Sequence, residues 1–232
     1  MRVAIVENTR VTHHGQIGVA LHEAGARIDL FKPHLGQPLP QDAADHDALI
    51  VFGGEQNALA DDTHPYLPKL AKLITRFTAA DRATLGICLG SQLTARAFGG
   101  TNHIGTAPEF GWTEVQLTAE GQNDPVLGGL PNSFPIFQWH SDTFTLPQGA
   151  LHLATSSGAA NQAFRLGRAT YATQFHFEAN RNVVADWNRE FPDLVEGNEP
   201  GWLDAYPARA ATTGALADEI GLQIARAFTA QI

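Results

Sequence analysis

In the first hundred residues, short and continuously apolar runs alternate with segments of helical character. The runs are RVAIVEN, RIDLFK, DALIVFGG and ATLGIC, and helical patterns fall at residues 15–24, at 66–79 and in LGSQLTARAFGG directly after the fourth run. A strand that is apolar along its whole length has both faces buried, and strands joined by helical crossovers pair in parallel. The sequence therefore predicts an α/β fold, an open and mostly parallel sheet with helices on both faces.

Residues 109–176 read differently. FGWTEVQL, FPIFQWH, ALHLATS, QAFRLG and ATYATQFHF are short strands with Gly/Pro turns between them, which predicts antiparallel hairpins added to the same sheet. From about residue 181 helix formers dominate, and GALADEIGLQIARAF has the amphipathic repeat of a closing surface helix. With 232 residues, 44% of them apolar, and no linker or internal repeat, the expectation is one domain over 1–232 with a mainly helical C-terminal extension.

The net charge of -9, with fifteen scattered Lys and Arg, argues against nucleic acid and anionic membrane as partners. The single cysteine excludes an intramolecular disulfide, and the N-terminal apolar run is too short for a signal peptide. No stretch is long and apolar enough to span a bilayer, so the expected location is the cytoplasm. The ten histidines show no metal-ligand spacing: His13 and His14 are adjacent and His22 is eight further on, so no metal is expected. Asp61 and Asp62, in a polar loop before THPYLPKL, read as the N-cap region of a helix rather than as catalytic acids.

The one cysteine, Cys88, lies in Gly86-Ile87-Cys88-Leu89-Gly90, where an apolar strand runs into a helix. That is the pattern of a nucleophile elbow, with small neighbours to relieve crowding and a helix N-terminus to favour a thiolate. Taken alone, the position fits a small buried hydrophobe equally well. Two other segments bear on the choice. In YATQFHFEAN, His176 ends a β-run with Glu178 two residues on, and in an extended strand those side chains share a face, supplying a general base and its orienter. In LIVFGGEQN, Gly53 and Gly54 either make a turn or present a bare N–H to a developing oxyanion, together with the N–H of Leu89. Trp112, Trp139 and Trp202 read as core or rim aromatics, with Trp139 and His140 also placed to flank a pocket.

Together GICLGSQ, VFGG and QFHFE resemble the motifs of the class I (triad) glutamine amidotransferases, and FQWHSDTFTLPQGALHLATS is similar to a further segment of that family. The resemblance covers roughly residues 45 to 180 in family order and is nearest to stand-alone domains like the amidotransferase half of GMP synthase. It implies a flavodoxin-like sheet, and a reaction without cofactor. Cys88 attacks the side-chain amide of glutamine, His176 moves the proton, Glu178 orients His176, and ammonia leaves from a γ-glutamyl thioester. It further implies that Gly54 and Leu89 are the oxyanion donors, that Gln92 contacts the substrate, and that the backbone around Ser141 and Asp142 meets its amino-acid end.

Two departures stand out. Phe177 occupies the place between His and Glu where the family usually has proline, which leaves the triad in place and is expected to reshape the pocket mouth. The sequence also has no Walker-type phosphate loop and no Ser-Gly-Gly-Val-Asp-Ser signature, so a separate synthetase subunit is the expected user of the ammonia. Two alternatives keep the fold: a hydrolase of γ-glutamyl peptides, marked by an open pocket beyond the γ-carbonyl, and a catalytically silent binding or regulatory module.

Overall fold

The computed structural model describes residues 1–232. The first half contains β1 (Arg2–Val6), α1 (Gly15–Glu23), β2 (Arg27–Phe31), β3 (Ala48–Val51), α2 (Leu67–Ala79), β4 (Ala83–Ile87) and α3 (Leu89–Ala97). The second contains β5 (Asn102–His103), β6 (Glu109–Leu117), α4 (Ala119–Gln122), β7 (Ser133–His140), β8 (Thr143–Phe144), β9 (Leu151–Ser156), β10 (Ala163–Leu166) and β11 (Thr170–Thr173). Helices α5 (Arg181–Glu190), α6 (Pro192–Asn198), α7 (Trp202–Arg209) and α8 (Ala215–Thr229) close the chain.

Nine strands form one sheet in the order β2-β1-β3-β4-β11-β10-β9-β6-β7. The first five pair in parallel and the remaining neighbours are antiparallel, so the parallel core and the added hairpins meet at β11. Alternation along each strand fills two cores. Val3, Ile5, Ile50, Leu85 and Ile87 face Ile17 and Leu21 of α1 and Ile220, Ile224 and Phe228 of α8. Ala4, Val6, Leu49 and Val51 face Leu70, Ile74 and Phe77 of α2 and Leu93 of α3. The mostly parallel sheet, its two helical layers and its antiparallel strands are those expected from the sequence. No helix is long and apolar enough to cross a membrane.

The Asp61-Asp62 reading is overturned. Helix α2 has Tyr66 at its N-cap and no side-chain cap, because Pro68 near its start already removes one of the donors a cap would serve. Asp61 instead takes both guanidinium nitrogens of Arg96 at 2.7 and 2.6 Å, tying the loop to α3.

Candidate active site

Strand β4 delivers Cys88 at its carboxyl end, where open α/β sheets bind ligands. Its backbone has φ 53° and ψ −109°, a conformation that costs a non-glycine residue about 1–3 kcal/mol. The surrounding structure enforces it: the Cys88 N–H donates to Thr173 O at 2.8 Å, and the Ser91 hydroxyl donates to Cys88 O at 2.6 Å. The flanking glycines are steric necessities. A Cβ on Gly86 would lie 2.3 Å from Gly90 O, and one on Gly90 would lie 2.0 Å from Val51 O.

His176 reaches the cysteine from just beyond β11, the strand beside β4 in the same sheet. After Thr173 the chain leaves β4: Gln174 N–H pairs with Gln162 O, and His176 N–H crosses to Phe137 O of β7 at 2.8 Å. His176 and Glu178 thus meet across a turn, not along an extended strand, because the backbone turns directly after the His176 bridge, the Ala179 N–H donating to His176 O at 3.3 Å. The imidazole Nδ1 bonds Glu178 Oε1 at 2.6 Å, with both side chains buried. The carbonyl of Glu178 accepts the N–H of Gln16 at 2.9 Å, so the start of α1 clamps the turn.

Phe177, expected at the pocket mouth, points the opposite way. It is buried in the sheet–α8 core beside Phe175, since the backbone that turns residues 176 and 178 toward the cleft turns 177 away from it.

The sulfur and the imidazole converge beside Gly53. A Cβ on that glycine would fall 3.3 Å from His176 Cε1, 3.4 Å from Cys88 Cβ and 3.9 Å from Cys88 Sγ. Burial works against a charged His176, but the Glu178 carboxylate, the Cys88 charge and hydrogen bonds to both groups outweigh it and raise its pKa to about 10. The environment of the ring thus favours its protonated form.

Gly54 sits in a braced loop. Asn8 Nδ2 donates to Phe52 O at 2.8 Å, and Gln56 Nε2 donates to Asn8 O at 3.2 Å and to the Tyr66 hydroxyl at 2.5 Å. The Gly54 N–H has no backbone acceptor, and Leu89, first residue of α3, has no intrahelical one. Gln92 is buried and donates to Gln174 Oε1 at 3.2 Å. Asp142 is fixed by the Gly105 N–H at 2.8 Å and the Ser141 hydroxyl at 3.2 Å, while His140 Nδ1 bonds Asp142 O at 3.0 Å.

All eight residues expected from the sequence, Cys88, His176, Glu178, Gly54, Leu89, Gln92, Ser141 and Asp142, border one cleft of about 440 Å³, as do Trp139 and His140. The outer wall, made by Trp187, Phe191, Leu194 and Asn198, escaped the sequence reasoning. Their 4-3-4 spacing is one helical face, a legible signal that the break between α5 and α6 at Phe191 obscures. No group of three or more His, Cys, Asp or Glu side chains is arranged to hold a metal ion.

Residues 13–184 match the family model of the class-I glutamine amidotransferases. The chain belongs to that family. It is 31% identical to the glutamine amidotransferase-like protein YfeJ of Salmonella typhimurium over 79% of this chain and 78% of that protein. It is 28% identical to a glutamine-hydrolyzing GMP synthase subunit of Methanoregula boonei over 75% of this chain and 89% of that one. The crystal structure of a glutamine amidotransferase from Methylobacillus flagellatus superposes with a TM-score of 0.88 at 26% identity, covering 100% of this chain and 95% of that one. Membership in the class-I amidotransferases is consistent with hydrolysis of the glutamine side-chain amide, and the cleft holds a sulfur at an elbow, a buried imidazole–carboxylate pair and backbone N–H groups without a backbone acceptor.

Proposed function

We propose that the chain hydrolyses the side-chain amide of glutamine through a γ-glutamyl thioester on Cys88. The observation that carries this reading is the Cys88 elbow opposed to His176, with His176 Nδ1 bound to Glu178 at 2.6 Å inside the same cleft. The Cys88 thiol passes its proton to His176 as the sulfur attacks the γ-carbonyl carbon, and the carbonyl π pair moves onto oxygen, where the N–H groups of Gly54 and Leu89 receive it. The oxyanion collapses, the carbon–nitrogen bond breaks, and the His176 imidazolium gives its proton to the departing nitrogen, which leaves as ammonia. Neutral His176 then takes a proton from water, the hydroxide adds to the thioester, the carbon–sulfur bond breaks, and glutamate leaves. Glu178 keeps its charge throughout and balances the imidazolium. Gln92 and the backbone of Ser141 and Asp142 hold the amino-acid end of the substrate.

The GMP synthase relative supports a reading in which the ammonia is used by a separate synthetase subunit. The test is release of ammonia and glutamate from glutamine in equal amounts by wild type, with loss of both in Cys88→Ala. Equal turnover by the variant would overturn the thiol mechanism. A second reading, hydrolysis of larger γ-glutamyl amides, is favoured by the outer wall of the cleft.

A further inference from the structure

The cleft continues outward from the reacting atoms along a wall that, Asn198 apart, is apolar and for which ammonia has no use. The leaving nitrogen takes its proton from the imidazole nitrogen that Glu178 does not occupy, so the leaving group lies on the His176 side. There Trp187 stands edge-on to the imidazole with centroids 5.3 Å apart, Trp139 packs on Trp187 at 5.6 Å, and Phe191 packs on Trp139 at 5.8 Å. Leu194, also on the cleft, is 58% exposed. The cleft lining holds no Lys or Arg. Its volume of about 440 Å³ lies within the range of roughly 300–1,000 Å³ that takes drug-sized ligands, and glutamine is far smaller than those.

The wall is built rather than incidental. The Asn180 side chain caps α5, accepting from the N–H groups of Asn182 and Val183 at 3.0 and 3.1 Å. Arg181 Nε donates to Asp218 Oδ2 at 2.7 Å, pinning α5 to α8, and Trp202 Nε1 donates to Asn188 Oδ1 at 2.8 Å. The wall lies beyond the family match, which ends at residue 184, before Trp187, Phe191 and Leu194, while the Methylobacillus flagellatus structure, which covers the whole chain, extends over it.

Resting on the thioester reading, we propose that the site hydrolyses γ-glutamyl amides of apolar amines, with the α5–α6 arm holding the amine's substituent. The chemistry balances as for glutamine. The bond between the γ-carbonyl carbon and nitrogen breaks, the His176 proton goes to that nitrogen, a primary amine leaves in place of ammonia, and water releases glutamate. In an apolar pocket even a single methylene of fit changes kcat/KM about tenfold or more, so an aromatic substituent is strongly selected.

The experiment measures kcat/KM of the full chain for γ-glutamylphenethylamide, γ-glutamylglycine and glutamine, in wild type, Leu194→Asp and Phe191→Ala. The phenethylamide should exceed both others by about tenfold or more. Leu194→Asp, at an exposed position that cannot disturb the core, should lower the phenethylamide-to-γ-glutamylglycine ratio about fivefold, and Phe191→Ala should lower it in the same direction. Hydrolysis of all three without preference, or a preference that neither variant moves, overturns the inference and leaves the thioester reading standing. Hydrolysis of none of the three overturns both.

Discussion

Cys88, His176 and Glu178 are each less than a tenth exposed and hang on the central sheet or on a bridge to it, whereas Phe191 and Leu194 belong to a helical arm laid against the sheet, and Leu194 is largely open to solvent. The two sides of the cleft differ in what holds them. On the inner side, backbone contacts fix almost every atom: Gly90 touches Val51, Gly86 touches Gly90, and the Glu178 carbonyl is capped by Gln16. On the outer side, aromatic rings meet edge to face, an arrangement that tolerates replacement. On the proposed mechanism, chemistry is set where substitution is costly, and the choice of leaving group where substitution is cheap.

The largest effect expected on the inner side is in His176→Ala, which removes the proposed proton carrier and should lower kcat about 10⁴-fold with the fold retained by circular dichroism. A loss of tenfold or less would dissolve the distinction between the two sides. Gly54→Ala comes next. Its Cβ would lie 2.7 Å from Gln56 Oε1 and 2.9 Å from Asn8 Cβ, so the loop must turn and the N–H moves, at about 10²–10³-fold in kcat. Steady-state rates with glutamine check this, and an unchanged rate would remove Gly54 from the oxyanion site.

Glu178→Gln is expected to cost about a hundredfold less than His176→Ala, because in the proposed mechanism the carboxylate orients and stabilises the imidazolium but moves no proton. Equal losses would contradict that division. The same variant sharpens the electrostatics. In the wild type the folded-state pKa of His176, about 10, lies above the value of about 6.5 in an unfolded chain. The stability this proton contributes is complete below about pH 6.5 and declines as pH rises toward 10. Urea midpoints across that window should fall with pH in wild type and fall less in Glu178→Gln, where the main charge raising the pKa is gone. Parallel curves would show that Glu178 does not hold the proton. The smallest effect is on the outer side, the few-fold change of substrate ratio in Leu194→Asp.

Much of the inner side is legible in the sequence because its requirements are local. A strand, two glycines around a cysteine and a helix can be read within five residues, and His176 with Glu178 within three. What stays hidden depends on long-range pairing. Nothing in YATQFHFEAN tells that His176 leaves β11 to bridge Phe137, so an extended strand brings the right residues together for the wrong reason. The direction of Phe177 follows from that same switch and is hidden with it. Asp61 looks like a cap in sequence because its partner, Arg96, lies 35 positions away. The outer wall escapes notice because its helical stripe is cut at Phe191, where one helix ends and Pro192 starts the next.

On the proposed mechanism the inner side is one chemical centre that passes every substrate through the same thioester, whatever the outer side selects. Hydroxylamine added during turnover competes with water for that thioester and gives γ-glutamyl hydroxamate beside glutamate. The hydroxamate-to-glutamate ratio at fixed hydroxylamine, measured with glutamine and with γ-glutamylphenethylamide, should be identical for the two, because the leaving group has gone before the partition occurs. A ratio that changes with the leaving group would mean that water attacks the amide directly, and would contradict a covalent intermediate on Cys88.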